Sequence, residues 1–150
     1  MAWLILLHQF AALVWVGGLF LMYLAVRPAL APLAPAEALP VWQALLGRFF
    51  VWIWLAVLAL PLTGYAIVFG VWGGMGAAGW HVHTMQLTGL IMILLFGHVY
   101  FSPYRRLRQA LAANDPAAAA AQLGKLRPFV LANLILGLIT VALGSAGRYL

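Results

Sequence analysis

The longest uncharged stretch of this chain is the feature that most restricts its fold. No Asp, Glu, Lys or Arg occurs between Arg48 and Arg105, and none precedes Arg27. Only 7% of the residues are charged and 67% are hydrophobic, whereas soluble domains carry about 25% charged residues. So few charges cannot cover the surface of a water-soluble globule. The sequence therefore predicts a protein whose main solvent is lipid.

Hydrophobic segments long enough to cross a bilayer occur four times. A spanning helix needs about 20 apolar residues. We predict spans at residues 2–26, 49–69, 81–101 and 129–146. The first run is longer than the roughly 7–15 residues of a signal-peptide core and has no basic residue ahead of it, so we interpret it as a retained membrane helix. The predicted fold is all-α, an integral membrane four-helix bundle.

The connections between the spans differ in character. We expect helices at the membrane surface within 36–46 and 104–126, where prolines and basic residues interrupt the apolar runs. The connection at 70–79 is short and rich in glycine, which favours a tight antiparallel pair of the second and third spans. All four spans are assigned to a single transmembrane domain, residues 1–150.

Positive charge is concentrated at one end of the predicted bundle. Arg148 follows the fourth span, and the other basic residues lie around the first and third connections: Arg27, Arg48, Arg105, Arg106, Arg108, Lys125 and Arg127. Loops rich in Lys and Arg stay in the cytoplasm. We therefore predict a multi-pass protein of the bacterial inner membrane with both termini on the periplasmic side. Because these charges flank spans, they indicate topology and not nucleic-acid binding.

Several kinds of chemistry have no candidate residues here. Cysteine is absent, which excludes disulfides, iron–sulfur clusters, thiolate zinc sites and cysteine nucleophiles. The predicted spans contain no Asp, Glu or Lys, so carboxylate proton relays and Schiff-base chemistry are excluded as well. We assign no catalytic residue. If the chain is an enzyme, a haem-dependent oxidoreductase is the class that fits.

Histidines are the most informative polar residues of the spans, because ionisable groups within a membrane are costly and usually functional. His8 lies about 7.5 Å inside Trp3, and His83 lies at a similar depth beyond Trp80. Both belong to the outer half of the predicted bundle. His98 is roughly 22 Å further along the third span than His83. One metal ion cannot bridge these two residues.

The outer histidine pair predicts a transition-metal site. Neutral imidazole suits copper, zinc and iron, and the methionine thioether suits copper(I). We expect His8 and His83 to bind the metal, with Met85 assisting. His98, supported by Asn133, is a candidate for a second, inner site. Two ordinary explanations stay open: a histidine that hydrogen-bonds across helices, and a methionine that fills a gap.

The same two outer histidines fit a second cofactor. Imidazoles from facing helices are common axial ligands of b-type haem. His8 and His83 would then be the axial ligands, with Trp15 and Gly89 lining the space for the ring. Copper and haem b are therefore both candidates.

Several short motifs along the chain resemble those of a known family. They are LHQ at 7–9, VWVGG at 14–18, RPAL at 27–30, RFF at 48–50, VHTM at 82–85, GHVYFSPYRRLR at 97–108 and NLILG at 133–137. Together they resemble the CopD family of bacterial membrane proteins, in particular its short stand-alone members. The likeness extends over nearly the whole chain, and the motif of the third span is the most specific part of it.

The resemblance implies a role in copper transport or resistance at the inner membrane, beside a periplasmic copper-binding partner. It also implies that His8, His83 and His98 are the metal-associated histidines. A homo-oligomer is a further expectation, because four helices enclose little space for a conducting path. The first and third spans also resemble HemJ, a four-helix oxidase that carries b-type haem. Because the spans contain no lysine, we rank copper ahead of haem.

Overall fold

Helices make up almost all of the described chain. The computed structural model describes residues 1–149, and four of its helices are long and apolar enough to cross a membrane. We number them α1 (Ala2–Leu30), α2 (Pro35–Trp72), α3 (Trp80–Ala112) and α4 (Pro116–Ala146). Short 3₁₀ turns lie at Met75–Ala77 and Gly147–Tyr149. Residues 1–149 contain no strand, so the all-α four-helix fold predicted from the sequence is confirmed.

The helices continue well beyond the predicted spans. Residues 36–46 form the first turns of α2, and residues 104–126 are divided between α3 and α4 by a turn at 113–115. Asp115 ends that turn by accepting a hydrogen bond from the Ala118 amide at 2.9 Å, which is the ordinary role of an N-cap aspartate. Pro103 lies inside α3, where a π turn at Tyr100–Tyr104 accommodates the missing amide hydrogen.

The helix extensions pack against one another. Leu107 and Ala119 are fully buried and Leu39 is 2% exposed, although all three lie outside the predicted spans. These three residues belong to one buried apolar cluster, so the start of α2, the end of α3 and the start of α4 pack together. We call this end of the bundle the basic end. The opposite end, which holds Met1, the 73–79 turn and Gly147–Tyr149, is the termini end.

Small residues set which helices approach closely. A Cβ atom placed on Gly64 would lie 3.2 Å from His8 Cε1, and one placed on Gly144 would lie 3.1 Å from Met85 Cε. Glycine thus lets α2 approach α1 and lets α4 approach α3, as is usual in membrane bundles. The closest backbone contacts are accordingly those of α1 with α2 and of α3 with α4.

Large aromatic side chains fill the space between α2 and α3. Phe50 and Tyr104 meet edge to face with ring centroids 4.8 Å apart, and Trp54 meets Phe96 at 5.2 Å and Tyr100 at 5.4 Å. Each such pair adds about 0.5–1.5 kcal/mol beyond area burial. We call these five residues the aromatic layer. The expectation of a tight pair of the second and third spans is wrong, because the rings hold α2 and α3 apart.

Replacing Gly137 should test the close contact of α1 with α4. A Cβ on Gly137 would lie 2.8 Å from Val16 Cγ2 and 3.2 Å from Met92 Cε, and Val16 is β-branched and stiff. We expect Gly137→Ala to lower the free energy of unfolding by about 1–3 kcal/mol, the usual cost of overpacking. Thermal unfolding in detergent, followed by circular dichroism, measures this change.

Gly97→Ala is the matched control. A Cβ on Gly97 meets no atom within 4 Å, so the substitution should be neutral or stabilise the helix by up to about 1 kcal/mol. Equal loss of stability in both variants would contradict the proposed close contact.

Candidate functional site

His8 makes its polar contact with α2. Its Nδ1 atom lies 2.8 Å from the hydroxyl oxygen of Thr63. The Thr63 hydroxyl donates to the carbonyl of Ala59 at 2.6 Å, with the Leu60 carbonyl further away at 3.3 Å. A hydroxyl has one hydrogen, and the short contact with Ala59 favours its donation there, with Thr63 accepting from His8.

This geometry favours one tautomer of the neutral imidazole, in which Nδ1 carries the hydrogen and donates it to Thr63 while Nε2 keeps its lone pair. Metal-binding histidines show the same arrangement, since the second ring nitrogen usually donates to an oxygen that orients the ring. In this tautomer the Nε2 atom of His8 is unprotonated.

Gly64 makes room for this imidazole. The ideal Cβ position on Gly64 lies 3.2 Å from His8 Cε1 and 3.7 Å from Nδ1. A larger residue would push the ring away from Thr63, which is the neighbouring residue on α2. Thr63 itself is 4% exposed, so the acceptor is shielded inside the bundle. Thr63 and Gly64 together position the imidazole of His8.

His83 and Met85 lie elsewhere on the bundle surface. The His83 side chain is exposed, and Met85 is half-buried against α4 at Gly144. Among residues 1–149, no hydrogen bond or ring contact joins His83 to His8. The structure thus places His83 and Met85 in the half of the bundle near the termini end. It does not bring the imidazole of His83 to that of His8. A shared site of these residues stays a prediction.

His98 occupies the basic half of α3. Its ring centroid lies 4.8 Å from that of Phe129, and it lines a cavity of about 220 Å³ together with Arg106 and Lys125. The charged residues that share this cavity with His98 are both cationic. His98 is separated from His83 by most of the span, as the sequence indicated.

Asn133 contacts α3 at a different level from His98. Its side-chain amide donates to the Met92 carbonyl at 3.1 Å, and its Oδ1 atom is buried without a hydrogen-bond partner. Met92 precedes His98 by about 9 Å along the helix. Asn133 therefore joins α4 to α3 through this hydrogen bond, and the structure does not bring it to His98.

The residues proposed to surround a haem ring lie in unlike surroundings. Trp15 is 2% exposed and packs edge to face on Phe96 at 6.1 Å. Gly89 is half-buried, and a Cβ there would meet no atom within 4 Å. Trp15 thus belongs to the packed core, whereas Gly89 borders open space on α3.

Other polar side chains join the helices near the level of His8. The Gln86 amide donates to the Tyr65 hydroxyl between α3 and α2, and the hydroxyls of Thr88 and Thr140 hydrogen-bond to each other at 2.7 Å between α3 and α4. Thr63, Gln86 and Thr140 are recognisable from the sequence as polar residues within the spans, but their hydrogen-bond partners are not.

A preformed metal cage is not present in the described chain. Residues 1–149 contain no group of three or more His, Cys, Asp or Glu placed to hold a metal ion.

These features define a class: a polytopic α-helical membrane protein with imidazole and thioether side chains inside its spans and no carboxylate among them. The family model for copper resistance protein D, CopD, matches residues 43–146, and the chain belongs to that family. His8 lies outside the matched residues. A search of curated proteins and a search of solved structures each found no match. The HemJ likeness is not confirmed.

Removing the Thr63 hydroxyl should release the ring of His8. We expect Thr63→Val to leave Nδ1 without an acceptor and to lower the free energy of unfolding by about 1–3 kcal/mol, the cost of an unsatisfied buried group. Nitrogen-15 NMR of labelled histidine should show the Nδ1–H form of His8 in the native chain and a mixture of tautomers in the variant.

Two variants control this experiment. Thr63→Ser keeps the hydroxyl and should keep the tautomer. Thr84→Val removes a hydroxyl that bonds only the Trp80 carbonyl of its own helix, and should leave His8 unchanged. An Nε2–H form in the native chain would contradict the assignment.

Proposed function

We propose that this CopD-family protein binds copper as cargo in the membrane, and that His8 is its ligand inside the bundle. The observation that supports the proposal is the 2.8 Å contact of His8 Nδ1 with the Thr63 hydroxyl, which favours the tautomer in which Nε2 can bind a metal. Imidazole nitrogen is a suitable ligand for copper. Family membership supplies the link to copper resistance.

His83 and Met85 are proposed to act before or after His8. Both lie on the part of α3 near the termini end, and the exposed imidazole of His83 is accessible to another molecule. A second copy of the chain or a periplasmic copper-binding protein could therefore meet His83. The proposal leaves His98 out, because Arg106 and Lys125 line the same cavity and repel a cation.

We also propose an orientation. The basic end would face the cytoplasm of a bacterial cell, in line with the concentration of Arg and Lys in its connections, and the termini end would face the periplasm. His8 would then meet copper that enters from the periplasmic side of the inner membrane.

Replacing His8 tests the ligand assignment. Purified protein is incubated with copper(I) under a mild reductant, freed of unbound metal, and analysed for retained copper. We expect His8→Ala to lose at least tenfold in copper affinity, because the interior donor is removed. His81→Ala is the matched control: His81 packs against Gly79 and Gly147 at the rim of the bundle, and its loss should leave copper affinity within twofold.

Absorption spectra of the same samples separate copper from haem. A colourless native protein that retains copper supports the proposal. A red protein with a Soret band that is lost in both His8→Ala and His83→Ala would contradict it and favour the haem alternative. Circular dichroism establishes that each variant keeps its helices.

Single cysteines test the orientation cleanly, because the native chain has none. Gly76 and Ala113 are exposed residues of the two opposite turns, and a Cβ on Gly76 meets no atom within 4 Å. We expect a membrane-impermeant maleimide added to spheroplasts to label Gly76→Cys and to spare Ala113→Cys until the membrane is opened. The reverse pattern would contradict the proposed sidedness.

A further inference from the structure

A cavity of about 510 Å³ lies between α2 and α3 at the basic end. The residues that matter for its chemistry are Gln43, Arg48, Val51, Trp54, Tyr100 and Arg108. The cavity exists because the aromatic layer holds the two helices apart, so their backbones cannot close over it. None of the residues assigned to copper lines it.

The charged groups of this cavity have one sign. Arg48 enters it from α2 and Arg108 from α3, and no carboxylate is among its lining residues. The whole chain has two acidic residues: Asp115 caps α4, and Glu37 lies in the first turn of α2 without being among the residues that line the cavity. Arg48 and Arg108 carry like charges, so an anion in the cavity would be attracted to both.

Polarity changes in the same direction along both walls. On α2, Trp54 lies about 9 Å deeper in the bundle than Arg48, with Val51 between them. On α3, Tyr100 lies about 12 Å deeper than Arg108. Each helix thus presents a guanidinium near the membrane surface and an apolar or aromatic wall towards the membrane interior. A ligand that matches both walls has an anionic head and an apolar tail.

Tyr104 and Gly47 both line the cavity and lie close to each other. The Tyr104 hydroxyl would lie 3.1 Å from a Cβ on Gly47, and the Tyr104 ring packs on Phe50 at 4.8 Å. The Arg108 guanidinium lies 6.0 Å from the centre of the same ring. Tyr104 therefore joins the two walls, and Arg108 is positioned above an aromatic face.

We propose that this cavity binds an anionic phospholipid from the leaflet at the basic end. The phosphodiester lies between Arg48 and Arg108, and the first part of an acyl chain lies against Val51 and Trp54. Arginine is suited to phosphate because its planar fork makes paired hydrogen bonds. Basic pockets between spanning helices are known sites for lipid headgroups.

Lipid retention measured by native mass spectrometry tests the proposal. Purified protein is equilibrated in detergent with equal amounts of phosphatidylglycerol and phosphatidylcholine. We expect preferential retention of phosphatidylglycerol in the native chain, and about a fivefold loss of that preference in each of Arg48→Gln and Arg108→Gln. Arg48→Lys keeps the charge without the planar fork and should lose less of the preference than Arg48→Gln, and circular dichroism checks that each variant keeps its helices.

Arg105→Gln is the matched control. Arg105 is exposed on α3, adjacent in sequence to Tyr104, and lines neither of the two cavities. Its replacement removes the same charge from the same end and should leave the lipid preference within twofold. An equal loss in Arg105→Gln would overturn the proposal, because general attraction to the basic end would then explain binding.

Two further measurements separate a lipid from a free anion. Inorganic phosphate at millimolar concentration should not displace phosphatidylglycerol, and Trp54→Ala should weaken its retention several-fold through the lost apolar wall. If phosphate displaces the lipid and Trp54→Ala has no effect, the cavity is a site for small anions. Equal retention of the two lipids by the native chain would also overturn the proposal.

Discussion

Water is absent from the hydrocarbon region of a bilayer, so each polar side chain within a span must find its partner in the protein. The threonines meet this requirement partly through carbonyls of their own helices: Thr63 donates to Ala59 and Thr140 to Leu136. Because the hydrogen of the Thr63 hydroxyl is used in this way, its oxygen is left as an acceptor for His8. This backbone interaction on α2 thus favours the Nδ1–H tautomer of His8, on which the proposed metal binding through Nε2 rests.

The number of the spanning helices could be predicted because it depends on apolar length and on the shortage of charge. Their full lengths could not, because α2, α3 and α4 continue into the polar connections. The packing of neighbours could not. A short connection at 70–79 makes α2 and α3 antiparallel, but the volume of the side chains between them sets their separation. The rings of Trp54, Phe96 and Tyr100 lie between these two helices, and they occupy more space than the glycines at the other helix contacts. The close contacts of α1 with α2 and of α3 with α4 depend on residues such as Gly64 and Gly144, whose partners are known only from the structure.

The depth of each candidate site residue in the bundle could be predicted, but the direction of its side chain around the helix axis could not. Distances along an axis follow from the 1.5 Å rise per residue, which is why His98 lies far from His83 as expected. The direction of a side chain around the axis is normally indicated by an apolar face. The span of α3 has no distinct apolar face, so the sequence does not show that Met85 turns to α4 while His83 is exposed.

The proposed sites at the two ends of the bundle would bind ligands of opposite charge. At the proposed copper site, a neutral His8 nitrogen with a lone pair would bind a cation. At the basic end, Arg48 and Arg108 share a cavity without a carboxylate, which favours an anion and opposes a metal ion. A copper ion that moved along the bundle would therefore meet rising repulsion at this end. An anionic headgroup between the two arginines would reduce that repulsion, because its charge neutralises part of theirs. The proposed lipid site and the proposed copper function would in this way be coupled through electrostatics, although no residue belongs to both.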